Sequence, residues 1–257
     1  MAAIDGATIE SLRDRVRGDV LEPGDDGYDE SRTVWNGMVD REPAVVVRCG
    51  EAADVVAAVD VARENDLPLA VKGGGHHVSG AAVCDGGIQV DLGEMNEVDV
   101  DPDAKTARVG AGATWGDVDG ETLAFGLAVP GGQDPNIGVA GLTLGGGVGW
   151  LSRQHGLTCD NLLAADVVTA DGELIRASES EHPDLFWGLR GGGGNFGVVT
   201  EFEFQLHEVE PEILAGSLVY HLEDAHAVFR RYAEFMVDAP PEVRPLLGIM
   251  ELPAAGY

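Results

Sequence analysis

Glycine constrains this chain more than any other residue. Thirty-seven of its 257 residues are glycine, about twice the ordinary share of roughly 7%. They are bunched at 73–75, 131–132, 145–149 and 191–197, each bunch flanked by apolar, strand-like sequence. A flexible linker scatters its glycines among serines. Bunched glycines at strand ends mark backbone that must turn tightly or be closely approached. No fixed-period repeat of the solenoid type connects the bunches.

The first bunch sits at the end of a β-α-β pattern. Residues 44–48 (AVVVR) read as a buried strand. Residues 51–65 read as a helix carrying Val55, Val56, Val59, Val61 and Ala62, and 67–71 as a second strand that runs straight into Lys72 and the glycines. Short strands are predicted at 87–92, 97–100 and 106–109, with Pro102 and Asp103 turning between the last two. Thr114 and Asp117 have the spacing of a capping box for a helix reaching Phe125. Farther on, strands at 164–169 and 173–177 flank Asp171-Gly172, a hairpin signal. A short helix is predicted at 182–189 and an alternating strand at 198–206. Beyond His207 the sequence predicts a strand at 213–220, an amphipathic helix at 223–237, a break at Pro240-Pro241 and a strand at 246–252. A domain boundary is expected near residue 208.

Composition bounds the partners. Forty-five acidic side chains stand against sixteen basic ones, giving a formal net charge of −29, and only Lys72 and Lys105 are lysines. So anionic a surface repels phosphate backbones and anionic lipids, which argues against nucleic-acid binding. Acid excess with lysine depletion keeps a protein hydrated in concentrated salt, so the chain reads as a cytoplasmic protein of a salt-loving microbe. No apolar run approaches the roughly 18 residues that span a bilayer, and the N-terminal residues lack the apolar core of a secretory signal. Cys49, Cys84 and Cys159 are far apart, with no CxxC pair, which fits reduced thiols better than a disulfide framework.

Lys72-Gly73-Gly74-Gly75-His76-His77, with Gly80 close behind, removes Cβ atoms where a strand becomes a loop. Successive N–H groups can then converge on an anion, although the same residues also suit a tight, glycine-filled turn. A Walker loop is excluded, since no Gly-Lys-Ser/Thr follows. Gly192-x-Gly194-x-x-Gly197 has the spacing of the dinucleotide fingerprint, but a helix-like stretch around Phe186 and Trp187 precedes it and a strand follows. That is the reverse of the Rossmann order and argues against a nicotinamide dehydrogenase. His76 and His77 are neighbours in extended backbone and point to opposite sides, so no metal site is expected. His155 and His207 read as surface or half-buried polar residues. Four glycine-rich turns on a strand-rich domain suit a long anionic dinucleotide held in a non-Rossmann manner.

Five stretches carry a family resemblance: 71–80 (VKGGGHHVSG), 110–117 (GAGATWGD), 137–149 (IGVAGLTLGGGVG), 156–161 (GLTCDN) and 184–200 (DLFWGLRGGGGNFGVVT). Through them the chain resembles the FAD-linked oxidases of the vanillyl-alcohol-oxidase superfamily, with a flavin domain of the p-cresol-methylhydroxylase (PCMH) type. Within these it is most similar to the berberine-bridge-enzyme-like group. The resemblance implies an α+β fold, with a PCMH-type FAD-binding domain of two α/β subdomains over residues 1–207. Residues 208–257 would begin an α+β substrate-binding domain and leave it incomplete.

The resemblance also implies FAD as cofactor. His76 matches the histidine that many members bond to the 8α-methyl of the flavin. Gly73, Gly74, Gly75 and His77 match the pyrophosphate loop, with Lys72 and Gly80 at its ends. Gly138, Val139, Gly141 and Leu142 match the loop along the isoalloxazine and phosphates, and Val199 matches a residue whose backbone meets the adenine. Lys72 replaces the usual arginine, keeping the charge and losing the fork geometry. Asp134 stands where some relatives carry a cysteine for a second flavin bond, so attachment through His76 alone is expected.

The activity implied by the resemblance is that of an FAD-dependent oxidoreductase. Hydride would leave a C–H on a carbon bearing OH or N of a small-molecule substrate, and dioxygen would reoxidise the flavin. No catalytic base is assigned. Family members continue well beyond residue 257, and the helix at 223–237 (Val228, Phe229, Tyr232, Phe235, Met236) would lack most of its partner surface. The alternative expectation is a truncated, flavin-binding fragment or the half of a split enzyme, with a second chain completing the substrate domain.

Overall fold

The computed structural model describes residues 4–210 and 212–250, and the chain divides into two units, Met1–Val209 and Glu210–Tyr257. The first unit opens at Asp5, whose carboxylate accepts from the Thr8 N–H at 2.7 Å and caps helix α1 (Gly6–Arg15). Strand β1 (Val20–Leu21) and helix α2 (Tyr28–Arg32) lead to β2 (Val45–Arg48). Val45, Val46 and Val47 are all fully buried, as a strand covered on both faces requires. Helix α3 (Ala52–Glu64) turns Val55, Ala58, Val59, Val61 and Ala62 inward. Its start is fixed by the buried Asp54 carboxylate, which accepts from the Arg17 N–H at 2.7 Å and the Gly50 N–H at 3.0 Å. Strands β3 (Leu69–Lys72) and β4 (Ile88–Asp91) complete a four-stranded sheet of order β1-β2-β4-β3. The predicted β-α-β unit is therefore formed, with β4 inserted between its two strands and parallel to both. This leaves β3 on the sheet edge, where it feeds residues 73–75.

A second sheet follows. Strands β5 (Val98–Asp101) and β6 (Thr106–Gly110) form a hairpin. Thr114 and Asp117 make the predicted capping box of helix α4 (Trp115–Leu123), with Asp117 Oδ2 accepting from the Thr114 N–H at 2.8 Å. Next come β7 (Leu127–Ala128), α5 (Val139–Leu144), α6 (Ser152–His155), a 3₁₀ turn (Thr158–Asn161) and β8 (Leu162–Val168). Strand β9 (Leu174–Ser178) returns across the turn at Asp171-Gly172, where Gly172 has φ of +82°. Helix α7 (Pro183–Leu189) precedes β10 (Val198–Gln205) and β11 (His207–Glu208). The sheet is antiparallel, of order β5-β6-β10-β8-β9, while β11 pairs with β7 and keeps the first unit continuous to Val209.

Strand β10 shows why the alternation matters. Phe202 and Phe204 are fully buried, while Glu201 and Glu203 on the opposite face pair with Arg108 and Arg176. One continuous core runs from Leu12 on α1 through β2, α3 and Trp115 to Phe202 and Leu206. Two glycine bunches serve that core. A Cβ at Gly132 would lie 2.6 Å from the Trp115 ring, and one at Gly147 would strike Thr158.

In the second unit, a 3₁₀ turn (Leu222–Asp224) leads into α8 (Ala225–Asp238), close to the predicted helix. None of its residues is buried. The strands expected at 213–220 and 246–252 are corrected: residues 212–221 and 246–250 form no ladder, and 251–252 lie outside the described residues. A strand persists only where a neighbour takes its N–H and C=O groups, and among the described residues this unit holds none. Leu214 and Leu218 are accordingly exposed. Among the described residues, no helix is long and apolar enough to cross a membrane.

Candidate functional site

The loop that leaves β3 is the centre of the site. Lys72, at the strand's end, donates from Nζ to the Ser31 carbonyl at 2.6 Å and stands 3.7 Å from the Asp91 carboxylate. Gln89 Nε2 donates to the same Ser31 carbonyl at 2.7 Å. The ammonium is thus held at the base of the loop. Beyond it, the backbone N–H groups of residues 73–78 donate to no acceptor among the described residues. Consecutive unspent N–H groups on a glycine loop are the donor set of an anion nest.

Three of the resembling stretches interlock here. A Cβ on Gly74 would lie 2.6 Å from Gly138 Cα, and one on Gly73 would lie 3.1 Å from the Ala111 carbonyl oxygen. Residues 113–115 bond to 137–139, through Trp115 N–H to Ile137 O at 3.0 Å and Val139 N–H to Ala113 O at 2.9 Å. A cleft of about 390 Å³ opens beside this junction, bordered by Lys72, Gly73, Gly74, Gly112, Thr114 and Asn136. Residues 138–142, expected as a loop, are helical from Val139, with Gly138 at the N-cap. Val139 is fully buried, Leu142 is half-buried, and nothing lies within 4 Å of a Cβ placed on Gly141. Val199 lies on β10; its side chain is buried, and the carbonyl of its neighbour Thr200 accepts from the Ala111 N–H at 3.0 Å.

His76 is half-buried and stacks against Trp35, with ring centroids 6.1 Å apart and planes 24° from parallel. His77 faces solvent, and its Nδ1 accepts from the Ser79 N–H at 3.2 Å. Gly80, at φ of +66°, closes this turn by donating to the His77 carbonyl at 3.0 Å. Asp134 accepts at 2.9 Å from both the backbone and the side-chain N–H of Asn136. Those bonds, the backbone one first, hold its carboxyl below the usual range, with a smaller contribution from nearby His76.

The GxGxxG stretch is flanked by α7 before and β10 after, so its order is the reverse of a Rossmann turn. The Gly193 N–H donates to the Leu144 carbonyl at 2.8 Å, while Gly192, Gly194, Asn195 and Phe196 are exposed. Among the described residues no group of three or more His, Cys, Asp or Glu could hold a metal.

Sequence reasoning missed several side chains around the loop. Trp35 donates its backbone N–H to the Gly75 carbonyl at 3.1 Å and sets its ring against His76, and Asn36 Nδ2 donates to the Val78 carbonyl at 2.7 Å. Nothing periodic marks residues 33–39, and the one available signal was a tryptophan in a polar stretch. His155 and His207 stack at 3.8 Å, and His207 Nε2 lies 2.6 Å from Asn161 Oδ1. Burial, and then the neighbouring His155, push the His207 pKa down.

A family profile described as an FAD binding domain matches residues 43–178, more than half of the chain. The chain belongs to this family. Its sequence is 43% identical over 205 residues to (R)-6-hydroxynicotine oxidase of Paenarthrobacter nicotinovorans, covering 80% of this chain and 45% of that protein. The crystal structure of 6-hydroxy-D-nicotine oxidase from Arthrobacter nicotinovorans superposes with a TM-score of 0.82 at 40% identity, over 86% of this chain and 49% of that one. Glucooligosaccharide oxidase from Acremonium strictum, described with a 6-S-cysteinyl, 8α-N1-histidyl FAD, gives a TM-score of 0.75 at 35% identity, over 79% and 43%. The chain therefore spans about half the length of the relatives it matches. Its mixed α+β architecture, with one part-parallel and one antiparallel sheet, is theirs.

The residues present fit FAD. The loop's unspent N–H groups match a pyrophosphate, and the mutual approach of Gly74 and Gly138 leaves no room for side chains between the two segments that would flank it.

Proposed function

We propose that this FAD binding domain serves an FAD-dependent oxidoreductase that takes hydride from a C–H on a carbon bearing OH or N of a small molecule, with dioxygen as the final electron acceptor. The observation that carries the reading is the loop 73–78, where unspent N–H groups and the half-buried His76 share one turn whose first glycines, Gly73 and Gly74, border a cleft. When bound, FAD supplies the hydride-accepting ring.

The chain's own residues do the holding. Gly73, Gly74, Gly75 and His77 bind the pyrophosphate through backbone N–H groups, between Lys72 and Gly80. Gly138, Val139, Gly141 and Leu142 border the flavin and phosphates, and the Val199 backbone meets the adenine. His76 provides the covalent link, and Asp134, having no thiol, provides no second one. The names (R)-6-hydroxynicotine oxidase and glucooligosaccharide oxidase give compounds that bear nitrogen and hydroxyl groups, which supports the N- or O-bearing substrate class. A reducing, cytoplasmic setting is supported by three free cysteines, two of them buried.

The test is to refold the 257-residue chain with FAD in concentrated salt and precipitate it with acid. Yellow colour should stay with the polypeptide and be lost from it in His76→Ala. Wild-type protein that takes up no flavin would sink the reading. Turnover assayed on the same preparation decides whether this chain acts alone or only binds the flavin.

A further inference from the structure

A nucleophilic histidine on a glycine loop presents a physical difficulty. Glycines at 73–75 give the backbone freedom, and among the described residues the His76 ring makes no hydrogen bond that would fix it. A hydrogen bond would also occupy a ring nitrogen, and a nitrogen so engaged is a poorer nucleophile. Contact with the ring's face restrains the plane and leaves both nitrogens free. Trp35 supplies such a contact, at 6.1 Å between centroids and 24° between planes.

The backbone that carries the indole is itself anchored. The Trp35 backbone N–H donates to Gly75 O at 3.1 Å, Asn36 Nδ2 donates to Val78 O at 2.7 Å, and the Val39 backbone N–H donates to Asn36 O at 2.9 Å. Residues 34 and 39 on either side are tied into a small apolar cluster with Ala82 and Val83. Both flanks of His76 are thus bonded to the segment that carries the indole. Trp35 itself is 64% exposed, so core packing does not account for it.

We propose that Trp35 is the positioning residue for His76, holding the imidazole plane in the orientation from which it bonds to FAD. This rests on the reading that FAD is linked at His76. The link forms one bond, from imidazole nitrogen to the 8α carbon. It releases one proton from the methyl group and one from the imidazole, and the two electrons left on the flavin pass to dioxygen.

The experiment compares Trp35→Phe, which keeps a ring face, with Trp35→Leu, which keeps bulk alone, and with Trp35→Ala. Each apo-protein is mixed with FAD. Flavin fluorescence measures non-covalent affinity in a His76→Ala background, and acid-stable colour over time measures linkage. Trp35→Ala and Trp35→Leu should slow linkage by on the order of tenfold or more, as loss of orientation does, with affinity changed less than about threefold. Trp35→Phe should restore most of the rate. Equal linkage rates in wild type and Trp35→Leu overturn the proposal, and so does a Phe variant as slow as Leu. A loss of affinity that matches the loss of rate overturns it too. If Trp35→Ala does not fold, the Phe and Leu pair decides. Absence of flavin binding in wild type sinks the FAD reading itself, which is a separate outcome.

Discussion

At Gly74 and Gly141 the same change, hydrogen to methyl, meets opposite surroundings. A Cβ on Gly74 would press on the Gly138 backbone at 2.6 Å from its Cα, so Gly74→Ala must push two loops apart. It should lower stability by about 1–3 kcal/mol in urea unfolding and abolish FAD uptake. Gly141 sits inside α5 with nothing near, so Gly141→Ala should raise apo-protein stability by about 0.5–1 kcal/mol. If the flavin lies along α5, the new methyl takes its space and FAD affinity falls while the fold strengthens. Unchanged affinity would remove Gly141 from the site. His207 offers a pH test. Asn161 commits its Nδ2 to the carbonyls of His155 and Leu157, at 2.9 and 2.8 Å, so its Oδ1 accepts from an Nε2–H of His207. The depressed His207 pKa means the unfolded chain binds more protons below its ordinary value of 6.5. Stability is therefore fully present above that value and falls as the pH drops through it. The difference in unfolding free energy between wild type and His207→Gln should shrink between about pH 7.5 and 5.5, and a constant difference would contradict it. The glycine loop was legible as a break at the end of a strand because glycine's effect on backbone is local, whereas His76 drew attention through the family resemblance. Trp35 and the His155–His207 stack were not, since each depends on residues distant in the chain meeting in space.

Elements were legible where a segment's own pattern decides its state. The valines of β2, the apolar stripe of α3 and the alternation of β10 each satisfy their surroundings with few alternatives, and the capping box fixes where α4 begins. Thr114→Ala removes that cap and should cost about 1 kcal/mol, measured by urea unfolding. Phe202→Ala empties a fully buried site in the central strand of the antiparallel sheet and should cost about 3–5 kcal/mol. A loss below that of Thr114→Ala would show that β10 does not organise this core. Illegible elements depend on neighbours. Helix α5 contains a glycine and a threonine, follows another glycine and reads as a loop, yet it forms because Val139 and Leu144 bury against the core. Residues 213–220 read as a strand on composition alone and find no ladder among the described residues.

Across the whole molecule, charge is the property that no fold element explains. Arg13 faces Glu10 and Glu22, Arg32 faces Asp29 and Asp40, and Arg176 faces Asp166 and Glu203. Each cation is shared between carboxylates, yet the chain still carries −29. Folding concentrates that charge and unfolding disperses it, so self-repulsion works against the native state. Salt acts on two opposed terms: it weakens the exposed ion pairs, worth about 0–1 kcal/mol each, and it screens the repulsion among the excess carboxylates. With 45 acids and 16 bases the repulsive pairs far outnumber the attractive ones, so screening wins. The melting temperature should therefore climb as KCl is added, by about 5 °C or more, with most of the rise complete by about 1 M, where the Debye length has fallen to roughly 3 Å. A rise that continues in proportion to salt instead reports solute exclusion from the surface. A flat or falling curve below about 0.5 M would show that the ion pairs outweigh the repulsion and that the acidic surface is no adaptation to salt.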